Sequence, residues 1–150
     1  MRQLVYLMLL LVFASCGPSG ESSFEPMPAA EVNPEGIKRA KYFGHRMMND
    51  CVSEKFALLT SDEATKEMVQ GLSIKTQKDA CDHIKGEYGA YHGLQFIECL
   101  RPKDGRLYRV YRFKTSFADK RARAETRVIL DGQEKLAGIW TGAWRDVTNL

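Results

Sequence analysis

The chain has 150 residues, of which 44% are hydrophobic, and it carries 22 Lys and Arg side chains against 19 Asp and Glu. A chain of this length and composition forms one domain with its own core, which excludes a wholly disordered protein. The formal net charge of +3 is too small for a dedicated nucleic-acid-binding protein, so we expect no nucleic-acid partner.

The first segment in chain order has the features of an export signal. Arg2 is followed by an apolar run over residues 4–13, which is about half of the roughly 20 residues that a membrane-spanning helix needs. The Phe-Ala-Ser-Cys sequence at 13–16 resembles the lipobox of bacterial lipoproteins, although Phe13 stands where that family usually has Leu. The resemblance implies a signal peptide over residues 1–15, a lipid on Cys16 and a lipid-anchored protein of the bacterial cell envelope, periplasmic or on the outer surface. The alternative is an ordinary secretory signal with Cys16 merely near the cleavage site.

The residues after Cys16 are rich in Pro, Ser, Gly and Glu up to Glu35. This composition is typical of flexible, unfolded chain. We therefore predict that residues 16–35 comprise the lipidated cysteine and a disordered tether, and that residues 36–150 form a single domain.

The first half of that domain has helical periodicity. A first helix is predicted from Gly36 to about Asp50, and a Thr60-x-x-Glu63 capping box predicts a second helix that runs to about Val69. Ser73 is the expected cap of a third helix. The apolar stripes of the first and third helices contain these residues: Ile37, Ala40, Phe43, Met47 and Cys51; Ile74, Cys81, Ile84 and Tyr88.

The second half has the two-residue period of strands. Four strands are predicted, near residues 93–101, 106–116, 121–130 and 135–144, with Trp140 assigned to the core. Helices followed by a run of strands indicate an α+β fold, with the helices packed on a curved four-stranded antiparallel sheet.

Two predicted turns, at residues 102–105 and 117–120, set a strand register. They oppose Glu98 with Arg109 and put both on the buried face. The rest of that predicted face consists of Leu94, Phe96, Leu100, Leu107, Tyr111, Phe113, Ala124, Thr126, Val128 and Leu130. The predicted outer face contains Gln95, Ile97, Cys99, Val110, Arg112, Lys114, Arg123, Glu125, Arg127 and Ile129.

The order of these elements, closing on Val-Ile-Leu-Asp-Gly at 128–132 and Leu-Ala-Gly-Ile-Trp at 136–140, resembles the nuclear-transport-factor-2-like, cystatin-like superfamily. The resemblance covers residues 36–144. It implies a cone-shaped domain, in which the helices lie in the concavity of the sheet and the open end of the cone binds a ligand. The superfamily contains isomerases, dehydratases and non-catalytic accessory domains, so the fold alone gives no function.

Glu98 and Arg109 form the one predicted group of residues that could bind a ligand or take part in catalysis. Two opposite charges on an apolar face are either an ion pair that stabilises the register or the polar floor of a ligand site. In the second interpretation Arg109 binds an anionic or carbonyl group and the hydroxyls of Tyr111 and Thr126 add hydrogen bonds. If the site is catalytic, Glu98 is the general base and Tyr111 is its hydroxyl partner.

The functional hypotheses follow from these features. The first is a non-enzymatic, lipid-anchored accessory protein that binds a small ligand in the cone or a partner through the sheet. The second is an isomerase- or dehydratase-like enzyme that uses Glu98, Arg109 and Tyr111. The third is a structural homodimer that organises other envelope proteins. It would form through the outer sheet face, whose basic residues are Arg112, Lys114, Arg123 and Arg127.

The cysteines and histidines complete the candidate groups. A disulfide between Cys51 and Cys81, on two helix stripes, is one alternative, and three reduced thiols including Cys99 are the other. His45, His83 and His92 are scattered in the sequence and lack metal-ligand spacing. We therefore expect no metal site and no cofactor.

Overall fold

A computed structural model of the chain describes residues 23–121 and 123–145. The predicted signal peptide and Cys16 lie outside the described residues. In chain order the described elements are β1 (Phe24–Pro26), a 3-10 turn (Ala29–Glu31), α1 (Pro34–Ser53), α2 (Lys66–Gly71), α3 (Ile74–Tyr88), β2 (Tyr91–Pro102), β3 (Arg109–Phe117), β4 (Ala124–Leu130) and β5 (Leu136–Ala143).

The α+β class is confirmed, with three α-helices and one sheet over the described part of the chain. The sheet is open and antiparallel, and it has five strands in the order β1-β2-β3-β4-β5, where four were predicted. The additional strand is β1, which pairs with the end of β2 through Phe24 opposite Pro102.

The fold begins earlier than predicted, because residues 24–35 are ordered rather than part of a disordered tether. The residues of β1 show no clear strand pattern in the sequence. They form a strand because their backbone pairs with the edge of β2. The side chain of Asn33 accepts a hydrogen bond of 3.0 Å from the amide of Glu35, and Pro34 occupies the first helical position. This cap and this proline are typical of a helix start, so α1 begins at Pro34.

Of the two predicted helix caps, the one at Ser73 is confirmed and the one at Thr60 is wrong. Ser73 accepts a 3.1 Å hydrogen bond from the amide of Thr76 and caps α3, as predicted. The Glu63 carboxylate does accept from the amide and hydroxyl of Thr60, at 3.1 Å each. Those bonds close a turn instead of starting a helix, and α2 begins only after its own cap, Thr65.

The predicted register between β2 and β3 is wrong. Glu98 lies opposite Arg112, not Arg109, because the connection extends over residues 103–108 and is longer than the predicted turn. The register also shifts between Phe96 and Glu98. This bulge reverses the alternation, so Glu98 is on the outer face and Cys99 is on the inner one.

The predicted register between β3 and β4 is wrong by two residues, but each side chain still lies on the predicted face of the sheet. Phe113 lies opposite Thr126 instead of Ala124. Because side chains alternate with a period of two, an even shift keeps the same residues on the same side. The inner-face prediction therefore survives the register error for the residues of β3 and β4. It is wrong for Leu107, which lies in the loop before β3 and is 74% exposed.

The main core lies between α1 and the inner face of the sheet. Its buried members are Ala40, Phe43, Leu59, Ala64, Leu94, Cys99, Tyr111, Phe113, Val128, Leu130 and Leu136. A smaller cluster joins the ends of α1 and α3 to the sheet and consists of Met48, Ile84, Tyr88, Phe117 and Ala124.

Candidate ligand-binding cavities

A cavity of about 460 Å³ lies between α1, α3 and the edge strand β5. We call it the helix–sheet cavity. The helices contribute most of its apolar lining, and β5 contributes the opposite wall. Its principal lining residues are Met47, Met48, Leu72, Gln77, Ala80, Ile84, Tyr88, Ile139, Trp140 and Thr141.

A disulfide holds the two helical walls together. Cys51 of α1 and Cys81 of α3 are bonded, with their Cα atoms 5.2 Å apart, and both line the helix–sheet cavity. These are the two cysteines that the helix stripes placed together. The bond ties α3 to α1, so it fixes one dimension of the cavity.

Gln77 is the most deeply buried polar group in the cavity wall, at 1% exposure. Its side-chain amide donates to the carbonyls of Ala57 and Leu72, at 3.1 and 3.2 Å. These two bonds consume both of its N–H donors. Its Oε1 atom is buried without a hydrogen-bond partner, which is unfavourable in a folded protein.

The rim of the helix–sheet cavity is charged. His83 and Glu87 of α3 lie 3.1 Å apart and both are exposed. Across from them, the guanidinium of Arg145 lies 5.6 Å from the ring centre of Trp140. A ligand in this cavity therefore meets an apolar interior and a polar entrance.

A second cavity of about 320 Å³ lies at the other end of the sheet, and we call it the Arg109 cavity. Arg109 and Tyr111 line it together with Cys99, and so do the acidic residues Glu31, Asp131 and Glu134. This cavity contains two of the four predicted ligand-binding residues.

The acids of the Arg109 cavity already have partners. Glu31 pairs with Arg101 at 2.9 Å, Glu134 accepts from Asn33 at 2.8 Å, and Asp131 accepts backbone N–H groups in its own turn. Among the described residues no carboxylate lies within 4.0 Å of the Arg109 guanidinium. It donates to the carbonyl of Tyr108 at 2.9 Å.

Burial keeps two groups of this second cavity, the Tyr111 phenol and the Cys99 thiol, in their neutral forms. It raises the pKa of Tyr111 to about 12 and the pKa of the Cys99 thiol to about 12. At neutral pH the phenol is therefore a hydrogen-bond donor and not a base, and the thiol is not a nucleophile.

Glu98 belongs to neither cavity. It joins a buried ionic network on the outer sheet face, where Arg112 Nη1 donates to Glu98 Oε1 at 2.5 Å and Arg112 Nε donates to Glu125 Oε2 at 2.8 Å. Arg112 also donates to the carbonyl of Arg145, and Arg127 donates to Glu125. Arg112 and Glu125 are almost completely buried.

Two tryptophans cover this network. The Trp144 ring centre lies 4.5 Å from the Arg112 guanidinium, and the Trp140 ring centre lies 5.1 Å from that of Arg127. Trp140 is 39% exposed and stands on the outer face, so its assignment to the core is wrong. Of the four predicted basic docking residues, only Lys114 and Arg123 are exposed.

The predicted site is therefore not assembled. Glu98 pairs with Arg112, and Arg109 and Tyr111 line the Arg109 cavity. Thr126 sits in a row of threonine hydroxyls, 2.8 Å from that of Thr115 and 2.9 Å from that of Thr141. These bonds give it a structural role in the core.

Gln77 was missed, although the sequence contains a signal for it. Its position continues the three- and four-residue spacing of the α3 stripe between Ile74 and Cys81. A lone amide on an otherwise apolar stripe indicates a buried polar group, and such a group needs partners. β5 lines the cavity through Ile139, Trp140 and Thr141, an arrangement that the strand pattern alone does not reveal.

Comparisons with protein-family models, with curated proteins and with solved structures find no match to this chain. Over the described ranges, no group of three or more His, Cys, Asp or Glu side chains is arranged to hold a metal ion. No helix in that part of the chain is both long and apolar enough to cross a membrane.

Proposed function

We propose that this protein is a lipid-anchored, non-enzymatic protein of the bacterial cell envelope that binds a small, mainly apolar ligand in the helix–sheet cavity. The observation that carries the proposal is the cavity of about 460 Å³ between α1, α3 and β5. Ligand sites in proteins are concave and mostly apolar, with volumes of roughly 300–1,000 Å³.

The energetics favour an occupied cavity. Met47, Ile84, Ile139 and Trp140 line a cleft that is open to solvent, so their apolar surface stays in contact with water when no ligand is bound. Removing apolar surface from water contributes about 25 cal/mol per Å². A ligand of matching shape recovers that free energy, and the methionine side chains adapt to its outline.

The polar groups narrow the ligand class. Gln77 Oε1 is an acceptor without a partner in the cavity wall, so a hydroxyl, amine or amide N–H on the ligand gains a hydrogen bond there. Because this atom is covered, a small displacement of the wall must accompany that bond. We therefore propose a compact apolar molecule that carries at least one hydrogen-bond donor.

The three residues that the enzyme hypothesis requires do not form one site. It requires Glu98, Arg109 and Tyr111 in one site, and Glu98 is instead held by Arg112 on the outer face. The cone-shaped, cystatin-like form stays part of the proposal. It is supported by helices on one face of the sheet and by the cavity between them.

The dimer through the outer sheet face is the remaining alternative. Its electrostatic argument is weaker, because Arg112 and Arg127 are engaged with Glu125. Charge reversal at Arg112 would disrupt the fold itself and tests nothing about a partner. Charge reversal at the exposed Lys114 and Arg123, followed by measurement of the oligomeric state, tests the alternative directly.

The binding proposal is tested by native mass spectrometry. The chain from Gly17 to Leu150, which retains every described residue, is exported to the envelope of a bacterial host and purified without denaturant or reductant. We expect a bound small-molecule mass that is absent from Ala80→Trp, because residue 80 lines the helix–sheet cavity. The matched control is Ala30→Trp, at an exposed position of the 3-10 turn.

Two outcomes contradict the proposal. One is a clean unliganded mass for the folded wild-type protein. The other is a bound mass that survives Ala80→Trp and disappears in Arg109→Ala, which would place the ligand in the Arg109 cavity. Thermal melts of each variant establish that the fold is intact.

A further inference from the structure

We infer that the loop over residues 103–108 is a membrane-contact surface, which faces the bilayer that holds the lipid anchor and inserts Leu107 among the lipid headgroups. This inference rests on the lipid anchor of the proposed function. It is independent of any ligand in the helix–sheet cavity.

The point where the fold begins determines which end of the domain faces the membrane. The carbonyl of Ser23 accepts a hydrogen bond of 2.9 Å from the amide of Lys103, and β1 then pairs with the last residues of β2. The first described residues are thus fixed beside the 103–108 loop. Whatever path the chain takes from Cys16, the seven residues to Ser23 span at most about 25 Å.

The length of β2 excludes the inverted orientation. This strand has 12 residues, from Tyr91 to Pro102, and at about 3.3 Å per residue it is roughly 36–40 Å long. The connection after β3, over residues 118–123, lies at its far end. In an upright but inverted domain, that connection would rest on the bilayer and Ser23 would lie about one β2 length above it. The chain from Cys16 to Ser23 is too short to cover that distance.

The loop has the composition of a membrane contact. Leu107 is 74% exposed, the highest value among the exposed large hydrophobic side chains of the described residues. The Arg106 guanidinium lies 5.0 Å from the ring centre of Tyr108, which in turn packs against Phe24 at 6.1 Å. An exposed leucine beside an aromatic ring and a cation is typical of surfaces that enter the headgroup region.

The contact is mainly apolar. Arg106 forms an ion pair of 2.7 Å with Asp104 in the same loop, which offsets its attraction to anionic lipid. Asp131 and Glu134 lie at the same end of the domain, because they line the Arg109 cavity together with Leu107 and Gly132. We therefore expect a contact that changes little with ionic strength.

The test recreates the anchor chemically. The chain from Cys16 to Leu150 is coupled through the Cys16 thiol to a maleimide lipid in phosphatidylcholine vesicles that contain a gadolinium-chelating lipid. Cys16 is the reactive thiol in this reaction, because Cys99 is buried and Cys51 is bonded to Cys81. The amide NMR signals then report which residues lie near the bilayer.

We expect strong paramagnetic broadening of the amides of residues 104–108 and little at residues 118–121. Equal broadening at both ends, or greater broadening at 118–121, overturns the inference. Because the coupling is chemical, this result does not depend on whether cells lipidate Cys16. Labelling with radioactive palmitate in cells tests that separate part of the proposed function.

Two matched variants identify the contact. Leu107→Ser is expected to reduce the broadening at residues 104–108 at least twofold, whereas Leu58→Ser, at a leucine that is 61% exposed between α1 and α2, leaves it unchanged. Equal effects of the two variants contradict a role for Leu107. Broadening that is abolished by 0.5 M salt, or that requires a high protein density on the vesicle, also contradicts it, because the contact would then be electrostatic or made with a second copy.

Discussion

Arg112 is the largest of the almost fully buried side chains, and its charge is compensated by two carboxylates. Glu125 is the more critical of the two. It is itself buried and accepts from Arg112, Arg127 and the amide of Arg145. The network thereby attaches the residues after β5 to the outer face of the sheet.

Glu125→Gln is therefore expected to reduce the free energy of unfolding by about 3–5 kcal/mol, because it removes the buried counter-charge that Arg112 and Arg127 share and leaves Arg112 with the partly exposed Glu98 alone. Urea denaturation monitored by circular dichroism measures this loss. The matched control, Glu98→Gln, changes a carboxylate that is partly exposed and should have a clearly smaller effect. If the two variants are equally unstable, the burial argument is wrong.

A second residue-level contact joins α1 to the sheet. A Cβ atom added at Gly36 would lie 2.1 Å from the hydroxyl oxygen of Tyr111. Glycine is required here for close approach of the helix and not for its backbone conformation, since Gly36 lies within α1. The sequence shows this glycine but gives no indication of its partner.

Gly36→Ala is expected to destabilise the protein by about 2 kcal/mol, despite the higher helix propensity of alanine, because the core must shift to admit the methyl group. Adding Tyr111→Phe removes the clashing oxygen and should restore more than half of the loss. A thermodynamic cycle of the two single variants and the double variant measures this coupling. Strictly additive effects would contradict the proposed contact.

At the level of elements, the disulfide between α1 and α3 closes a loop over a sequence separation of 30 residues. The polymer-entropy estimate for a loop of this length is about 3–4 kcal/mol. The bond also holds the helix–sheet cavity together, since both cysteines line it.

Replacing both Cys51 and Cys81 with alanine should therefore lower the free energy of unfolding by about 3–4 kcal/mol and make it insensitive to reductant. Urea unfolding with and without dithiothreitol measures both effects. Cys99→Ala, which changes a buried free thiol, serves as the control and should keep the full reductant effect. A wild-type protein that is equally stable when reduced would contradict the structural role of the bond.

The elements that the sequence predicts well are those with local determinants. Ser73 caps α3 directly and the apolar stripe lies within that helix. The predicted end of β3, at residue 116, is one residue from the observed end at Phe117. β1 has no such local signal. Its three residues are a strand only because the edge of β2 is available to pair with them.

The positions of Glu98 and Arg109 were predicted wrongly because they depend on the register between β2 and β3. One bulge between Phe96 and Glu98 moves Glu98 to the outer face, and the longer connection after Pro102 moves Arg109 three residues away from it. Neither event changes the apolar alternation enough to be recognised in one sequence. Arg109 and Tyr111 still share a cavity because their two-residue spacing on β3 keeps them on one face.

At the scale of the whole molecule, the two ends of the sheet have different roles in this account. The end that carries the 103–108 loop and the Arg109 cavity contains the first described residues, next to the proposed anchor. The helix–sheet cavity uses β5 from Ile139 onward, on the side away from the β4–β5 turn, which lines the Arg109 cavity with Leu107. An anchored protein would thus keep its ligand entrance clear of the bilayer.

The most direct test of ligand binding in the helix–sheet cavity is a methionine-methyl NMR titration of the chain from Gly17 to Leu150 with 1-anilinonaphthalene-8-sulfonate as the apolar probe. Met47 and Met48 line that cavity, Met27 lines the Arg109 cavity, and Met68 lines neither. We predict saturable shifts of the Met47 and Met48 methyl signals, with Met27 and Met68 unchanged. Shifts confined to Met27, or no saturable shift at Met47 and Met48, would contradict the account.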